Sequence, residues 1–152
     1  MRSPRGSAAG RPGFTLIELI TVSGIVAVLF GMVAMGSVGF LRNQELTNSA
    51  EALTSYLRAA SARAIRSEGD TAHGVYVAPT GFTLFRGASY DTRLTAYDET
   101  RPLQGYVTVT GLSELVFAKQ TGVPSTSGFI TLTNGTRSVQ FTVYASGAIE
   151  RQ

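Results

Sequence analysis

The sequence contains no cysteine and no tryptophan, and its one histidine is His73. Without cysteine there is neither a disulfide nor a thiolate metal site, so the fold must hold by packing alone. With one histidine, any His-dependent triad or histidine-containing zinc site must run through His73. That residue stands beside Gly74 at the edge of a short alternating segment, where an exposed loop histidine is expected. No phosphate-cradling glycine loop is present and no cofactor is expected. Proline is missing from Phe14 to Ala78, so nothing there breaks a helix. These absences argue against a catalyst.

What the sequence does have is an apolar run of unusual length. The leader MRSPRGSAAGRPG, residues 1–13, gives way to FTLIELITVSGIVAVLFGMVAMGSVGFL, residues 14–41, where Glu18 is the one ionisable side chain. As a helix these 28 residues reach roughly 42 Å at about 1.5 Å each, against a hydrocarbon core of about 30 Å. A transmembrane helix over 14–41 is expected. A carboxylate inside such a span costs at least roughly 2.5 kcal/mol, so Glu18 calls for a specific partner. A secretory signal peptide has a shorter apolar stretch with its small-residue cleavage site after it. Here the small residue, Gly13, comes before the run. A mitochondrial presequence would be amphipathic, which this run is not. Arg2, Arg5 and Arg11, with no acid among them, place the leader in the cytoplasm and everything after Leu41 outside.

The residues Gly13, Phe14, Thr15, Leu16, Ile17 and Glu18, followed by a long apolar helix, resemble the processing site of bacterial type IV prepilins and the pseudopilins of type II secretion. The resemblance implies that a prepilin peptidase cuts after Gly13, that Phe14 becomes a methylated N-terminus, and that Glu18 is the fifth residue of the mature chain. Physical chemistry fits those roles. Glycine leaves a protease room to approach the backbone. Cleavage creates an ammonium at Phe14, one helical turn from Glu18, as the missing partner, and within one chain capping could also satisfy the carboxylate, since in the first turn it meets the helix dipole favourably. The same attraction between neighbouring chains would set the register of a subunit in a filament. The partners so implied are the peptidase, other pilin or pseudopilin subunits, an inner-membrane assembly platform and membrane lipid.

Removing the leader also removes the excess charge. Three of the 13 basic residues lie in it, leaving ten against ten acids. Nucleic-acid binding usually needs clustered positive charge, because phosphate neutralisation supplies most of the affinity. Arg58, Arg63 and Arg66, at spacings of 5 and 3, are the DNA-binding candidates, and solvated helix arginines explain them equally well. For metal, Asp91, Asp98 and Glu99 are candidate oxygen ligands to calcium. Their spacing is not that of an EF-hand, and a solvated acidic loop is the ordinary explanation.

Residues 42–152 suit one small exported domain. Leu46, Ala50, Leu53, Leu57, Ala60 and Ala64, spaced 4, 3, 4, 3 and 4, make one apolar stripe, so helix is expected over 42–66. Asn48, Ser49, Thr54, Arg58 and Arg63 fall on the solvent side. A β-sheet region follows over 74–149, with strands at Gly74 to Ala78, Phe82 to Arg86, Tyr106 to Thr110, Leu115 to Ala118, Phe129 to Thr133 and Ser138 to Tyr144. Pro79-Thr80-Gly81 and Asn134-Gly135 read as hairpin turns. One antiparallel sheet packing on the helix is expected. Its buried set is Val75, Val77, Val107, Val109, Ile130, Leu132, Val139, Phe141 and Val143. The stretch from Gly87 to Gly105 reads as a polar surface excursion.

The stretch AEALTSYLRAASARAIRSEGD and the tail LVFAKQTGVPSTSGFITLTNGTRSVQFTVYASGAIE resemble the GspH/FimT group of pseudopilins and minor pilins. That resemblance implies an α+β, pilin-like fold: a long N-terminal transmembrane and amphipathic helix packed on a C-terminal antiparallel β-sheet domain. It also implies a minor pseudopilin of a type II secretion pseudopilus, held in the bacterial inner membrane with its C-terminal domain in the periplasm and then in the filament. A FimT-like minor type IV pilin, in pilus assembly or DNA uptake, is the alternative. Against DNA uptake, Gly147, Ala148, Ile149, Glu150 and Arg151 depart from the Gly-Arg-x-Arg ending of DNA-binding members. A membrane-anchored binding domain that keeps its leader is a third reading.

Overall fold

The computed structural model describes residues 13–152, with residues 33–38 described by backbone alone. The leader's Arg2, Arg5 and Arg11 lie outside the described residues. The fold is α+β. One long helix, α1 (Leu16–Ile65), precedes eight strands: β1 (His73–Ala78), β2 (Gly81–Arg86), β3 (Glu99–Pro102), β4 (Thr108–Gly111), β5 (Glu114–Phe117), β6 (Gly128–Thr133), β7 (Ser138–Val143) and β8 (Ile149–Arg151). Two short 3-10 turns, Glu68–Asp70 and Thr95–Tyr97, lie between them. The chain forms two compact units, the first ending at Val38 and the second running Gly39–Gln152.

In the first unit α1 carries apolar side chains on every side. Leu16, Ile17, Leu19, Ile20, Ile25 and Phe30 are all exposed. Among the described residues no helix is long and apolar enough to cross a membrane. The span expected over 14–41 takes in residues 33–38, whose side chains lie outside the described residues.

The second unit is organised by the apolar stripe. Leu46, Ala50, Leu53, Leu57, Ala60 and Ala64 are all buried, in one core with Val75, Val77, Phe82, Leu84, Leu115, Ile130, Leu132, Phe141 and Val143. Three of these six helix residues are leucine and three are alanine, so large and small side chains together fill the space against the sheets. Ser49, expected in solvent, is only 2% exposed. It lies three residues after Leu46 and four before Leu53, hence on the stripe, and its hydroxyl reaches Glu45 Oε1 at 3.5 Å.

The sheet is two sheets, not the one expected. Their orders are β3-β2-β1-β5 and β4-β6-β7-β8, with every pairing antiparallel. The chain changes sheet between β4 and β5. Gly111 pairs with Ile130 across the second sheet, while the Ser113 carbonyl accepts from Val77 N–H at the edge of the first. Gly111 has φ 104, and a Cβ there would run into the Phe129 carbonyl, so the bend requires glycine. The inward register follows the period of two: Val75 stands opposite Leu84 and Val77 opposite Phe82, while Ile130 stands opposite Phe141. Val109 and Val139 are only partly buried, because they sit toward the rim of the second sheet. Val107 is buried but precedes β4, which begins at Thr108 rather than Tyr106.

The excursion from Gly87 to Gly105 is structured. It contains one 3-10 turn and β3, which pairs with β2 from Gly81–Pro102 to Leu84–Glu99. The segment before β3 folds over the outer face of the first sheet. There the Tyr90 ring stacks on Tyr76 at 3.7 Å and meets Phe85 edge-on at 5.7 Å. Arg93 lies over the other side of Tyr90, 3.6 Å from the ring centroid. Phe85 is thereby buried although it faces away from α1.

Candidate functional site

Gly13, Phe14 and Thr15 are exposed and precede the first helical residue, and Phe14 is 88% exposed. The Gly13–Phe14 bond therefore lies in accessible, non-helical chain, the state in which a protease can take a backbone into its cleft. A Cβ built on Gly13 meets nothing within 4 Å, so glycine there is not required by packing.

Helix α1 begins at Leu16 because Thr15 caps it. The Glu18 N–H donates to Thr15 Oγ1 at 3.3 Å, and the Leu19 N–H donates to the Thr15 carbonyl at 3.2 Å. The sequence Thr15-Leu16-Ile17-Glu18 is thus the Thr-x-x-Glu pattern of a helix start, with the carboxylate in the first turn beside the positive end of the helix dipole. Sequence reasoning assigned no role to Thr15, although the pattern was there to read. Glu18 serves the helix start in the uncut chain, and a cut after Gly13 would leave the cap intact with one residue ahead of it.

No family model, no curated protein and no solved structure matches this chain.

The other candidates are dispersed. Arg63 is paired with Glu99 at 2.7 Å and Arg66 with Glu68 at 3.4 Å. Arg58 is exposed on α1, in a groove with Glu51, Phe141 and Arg151. These three arginines do not form one unpaired cationic patch. Asp98 is held by Arg93 Nε at 2.8 Å and Glu99 by Arg63, whereas Asp91 stands apart in the exposed loop. Among the described residues, no three His, Cys, Asp or Glu side chains are placed to hold a metal ion.

His73 is not the exposed loop residue expected. It is 2% exposed, in register between Arg86 of β2 and Phe117 of β5. The reason is parity: His73 shares the inward face with Val75 and Val77. Burial lowers its pKa below the ordinary value; Glu68 and a backbone contact with Thr71 work against that, and Arg63 and Arg86 add to it. Three residues before His73, Asp70 is held below the usual carboxylate range by its ion pair with Lys119.

Proposed function

We propose that the chain is a pilin-like filament subunit: a minor pseudopilin of a type II secretion pseudopilus, cut after Gly13, methylated on Phe14 and assembled through α1. The reading rests on one juxtaposition. An accessible Gly13–Phe14 bond lies immediately ahead of a capped helix start carrying Glu18, and the first part of that helix, from Leu16 to Met32, exposes apolar side chains on every side. A helix apolar all round needs a surrounding of lipid or of other helices. A filament supplies the second after the membrane has supplied the first. The outer unit, with its own core, would be displayed on the filament, and two of its three candidate arginines, Arg63 and Arg66, are ion-paired, which gives no support to a DNA-uptake role.

The test is intact-mass measurement of the full chain made with and without a prepilin peptidase. Loss of residues 1–13 with a methyl group on Phe14 is expected. Persistence of the leader would leave a membrane-anchored binding domain instead. Deletion of the gene, scored for protein secretion, surface motility and DNA uptake, assigns the machine: a secretion defect alone supports the pseudopilus, and loss of motility or uptake supports a type IV pilus.

A further inference from the structure

Near its start at Gly39 the second unit exposes two large apolar side chains, Phe40 and Leu41. Beside them a cavity of about 490 Å³ is lined by Phe40, Asn43, Gln44, Thr47, Asn48 and Arg137. The first five recur at helical spacing on one face of α1. Arg137 comes from the turn between β6 and β7.

The lining offers hydrogen-bond donors and contains no carboxylate. Asn43 Oδ1 accepts from Asn134 Nδ2 at 2.9 Å, so Nδ2 is the side chain's remaining donor. Gln44, Asn48 and Arg137 are exposed, so their amide and guanidinium N–H groups are within reach of a ligand. Glu45, the one acid between Phe40 and Asn48, is instead met by the Ser49 hydroxyl at 3.5 Å, and Glu51 lines a different groove. The cation is held in place. Asn134 Oδ1 accepts from the Arg137 N–H at 2.8 Å, and Asn134 Nδ2 also donates to the Arg42 carbonyl at 3.2 Å, which ties the turn to the helix.

Arg42, the first residue after the apolar run, lies 5.4 Å from the centroid of the exposed Tyr106 ring. Ion pairs among the described residues use Arg63, Arg66, Arg93 and Lys119, and neither Arg42 nor Arg137. Tyrosine and arginine just past an apolar run are the composition of a membrane–water interface, where each cation is drawn to anionic lipid. Depth agrees. By helix rise, Arg42 to Asn48 lie within about 10 Å of Leu41, and the headgroup layer occupies roughly 5–8 Å on each side of the hydrocarbon.

We propose that this cavity binds the phosphate of an anionic phospholipid at the surface of the membrane that holds the apolar run. The phosphate oxygens accept from Arg137 and from the amides of Asn43, Gln44 and Asn48, while Phe40 lies against the lipid's apolar part. A zwitterionic headgroup brings a cation that meets no carboxylate in the lining. Inorganic phosphate would use the donors but not Phe40. The inference rests on the reading of 14–41 as a membrane span.

Two measurements on the full chain test it. Flotation with vesicles of phosphatidylcholine alone tests the span, and a chain that stays unfloated would overturn the span and this site with it. For the site, the chain in neutral detergent micelles carries one fluorophore at Thr136→Cys, an exposed position beside Arg137 in a sequence with no other cysteine. It is titrated with short-chain phosphatidylglycerol, short-chain phosphatidylcholine and inorganic phosphate. Phosphatidylglycerol should give a saturable change at one lipid per chain, with the other two at least about fivefold weaker. Arg137→Gln should weaken it about fivefold, and Arg66→Gln, at the far end of α1, should leave it unchanged. The double variant Gln44→Leu, Asn48→Leu keeps every charge and should also weaken it at least about fivefold, since hydrogen bonds to a charged group are lost. Unchanged circular dichroism of each variant checks the fold. A chain that floats but shows no saturable response, that binds inorganic phosphate as tightly, or whose double variant binds unchanged would overturn the site and leave the span standing.

Discussion

Replacing Tyr90 with alanine removes a ring that holds the excursion after β2 against the sheet. The ring stacks on Tyr76, meets Phe85 edge-on and lies under Arg93. Aromatic pairs contribute about 0.5–1.5 kcal/mol each beyond area, and a cation over a ring at an exposed site about 0.5–1 kcal/mol. Tyr90 is only half-buried, so we take the middle of that range, a loss of about 2–3 kcal/mol. The backbone ties survive the substitution: Tyr90 N–H still donates to Glu114 Oε1 at 2.7 Å, and Arg93 still reaches the Tyr90 carbonyl at 2.7 Å. The experiment therefore isolates the ring. For a unit of this size a loss of that order lowers Tm by about 10 °C. The assay is thermal unfolding of the full chain in detergent, followed by circular dichroism, with trypsin cleavage after Arg93 as a local readout. Tyr90→Phe keeps every ring contact and should stay within about 0.5 kcal/mol of the wild type. A Tyr90→Ala shift below about 2 °C with unchanged cleavage would refute the idea that aromatic stacking fixes this segment.

Three further outcomes are expected. Glu18→Ala should leave membrane insertion and cleavage after Gly13 intact but impair incorporation into filaments, measured by shearing and immunoblotting; normal incorporation would remove Glu18 from any role in register. Ala60→Leu, at a fully buried helix–sheet contact, should cost about 1–3 kcal/mol in thermal or urea unfolding, whereas Ser55→Ala on the exposed side should stay within about 0.5 kcal/mol. His73 carries a lowered pKa, so the unfolded chain takes up a proton at higher pH than the folded one. Its contribution is thus complete above about pH 6.5 and is lost as pH falls from there toward the folded pKa. Unfolding curves across that window should flatten in His73→Leu, and an unchanged slope would show that the ring is not the group responsible.

The helix was legible because its signal is redundant. Six residues from Leu46 to Ala64 repeat the period, no proline interrupts it, and all six are buried. The same holds for β1, β2, β6 and β7, where apolar alternation runs for several residues and ends at turn chemistry. At the last hairpin, Asn134 Oδ1 accepts from Thr136 and Arg137 N–H, while Asn134 Nδ2 donates to Asn43 Oδ1 at 2.9 Å, tying the turn back to α1. β3 and β8 escaped notice for the opposite reason. Their sequences, Glu-Thr-Arg-Pro and Ile-Glu-Arg, are mostly polar edge strands, fixed by pairing with β2 and β7 rather than by burial. The division into two sheets depends on one bend at Gly111, and a glycine in a strand-like stretch is compatible with a bulge, a turn or a close approach.

The two places where chemistry concentrates differ in how far a linear sequence can report them. The Gly13–Glu18 junction is local: cleavage position, cap and carboxylate lie within six consecutive residues, so spacing alone exposes it. The cleft around His73 is assembled from three separated stretches of chain and exists only because His73 stands opposite Arg86 and residues 96–99 line the same opening. Its one sequence-level trace was the parity of His73 with Val75 and Val77, which argues for burial over exposure. A buried polar residue on an otherwise apolar face has to be satisfied by something.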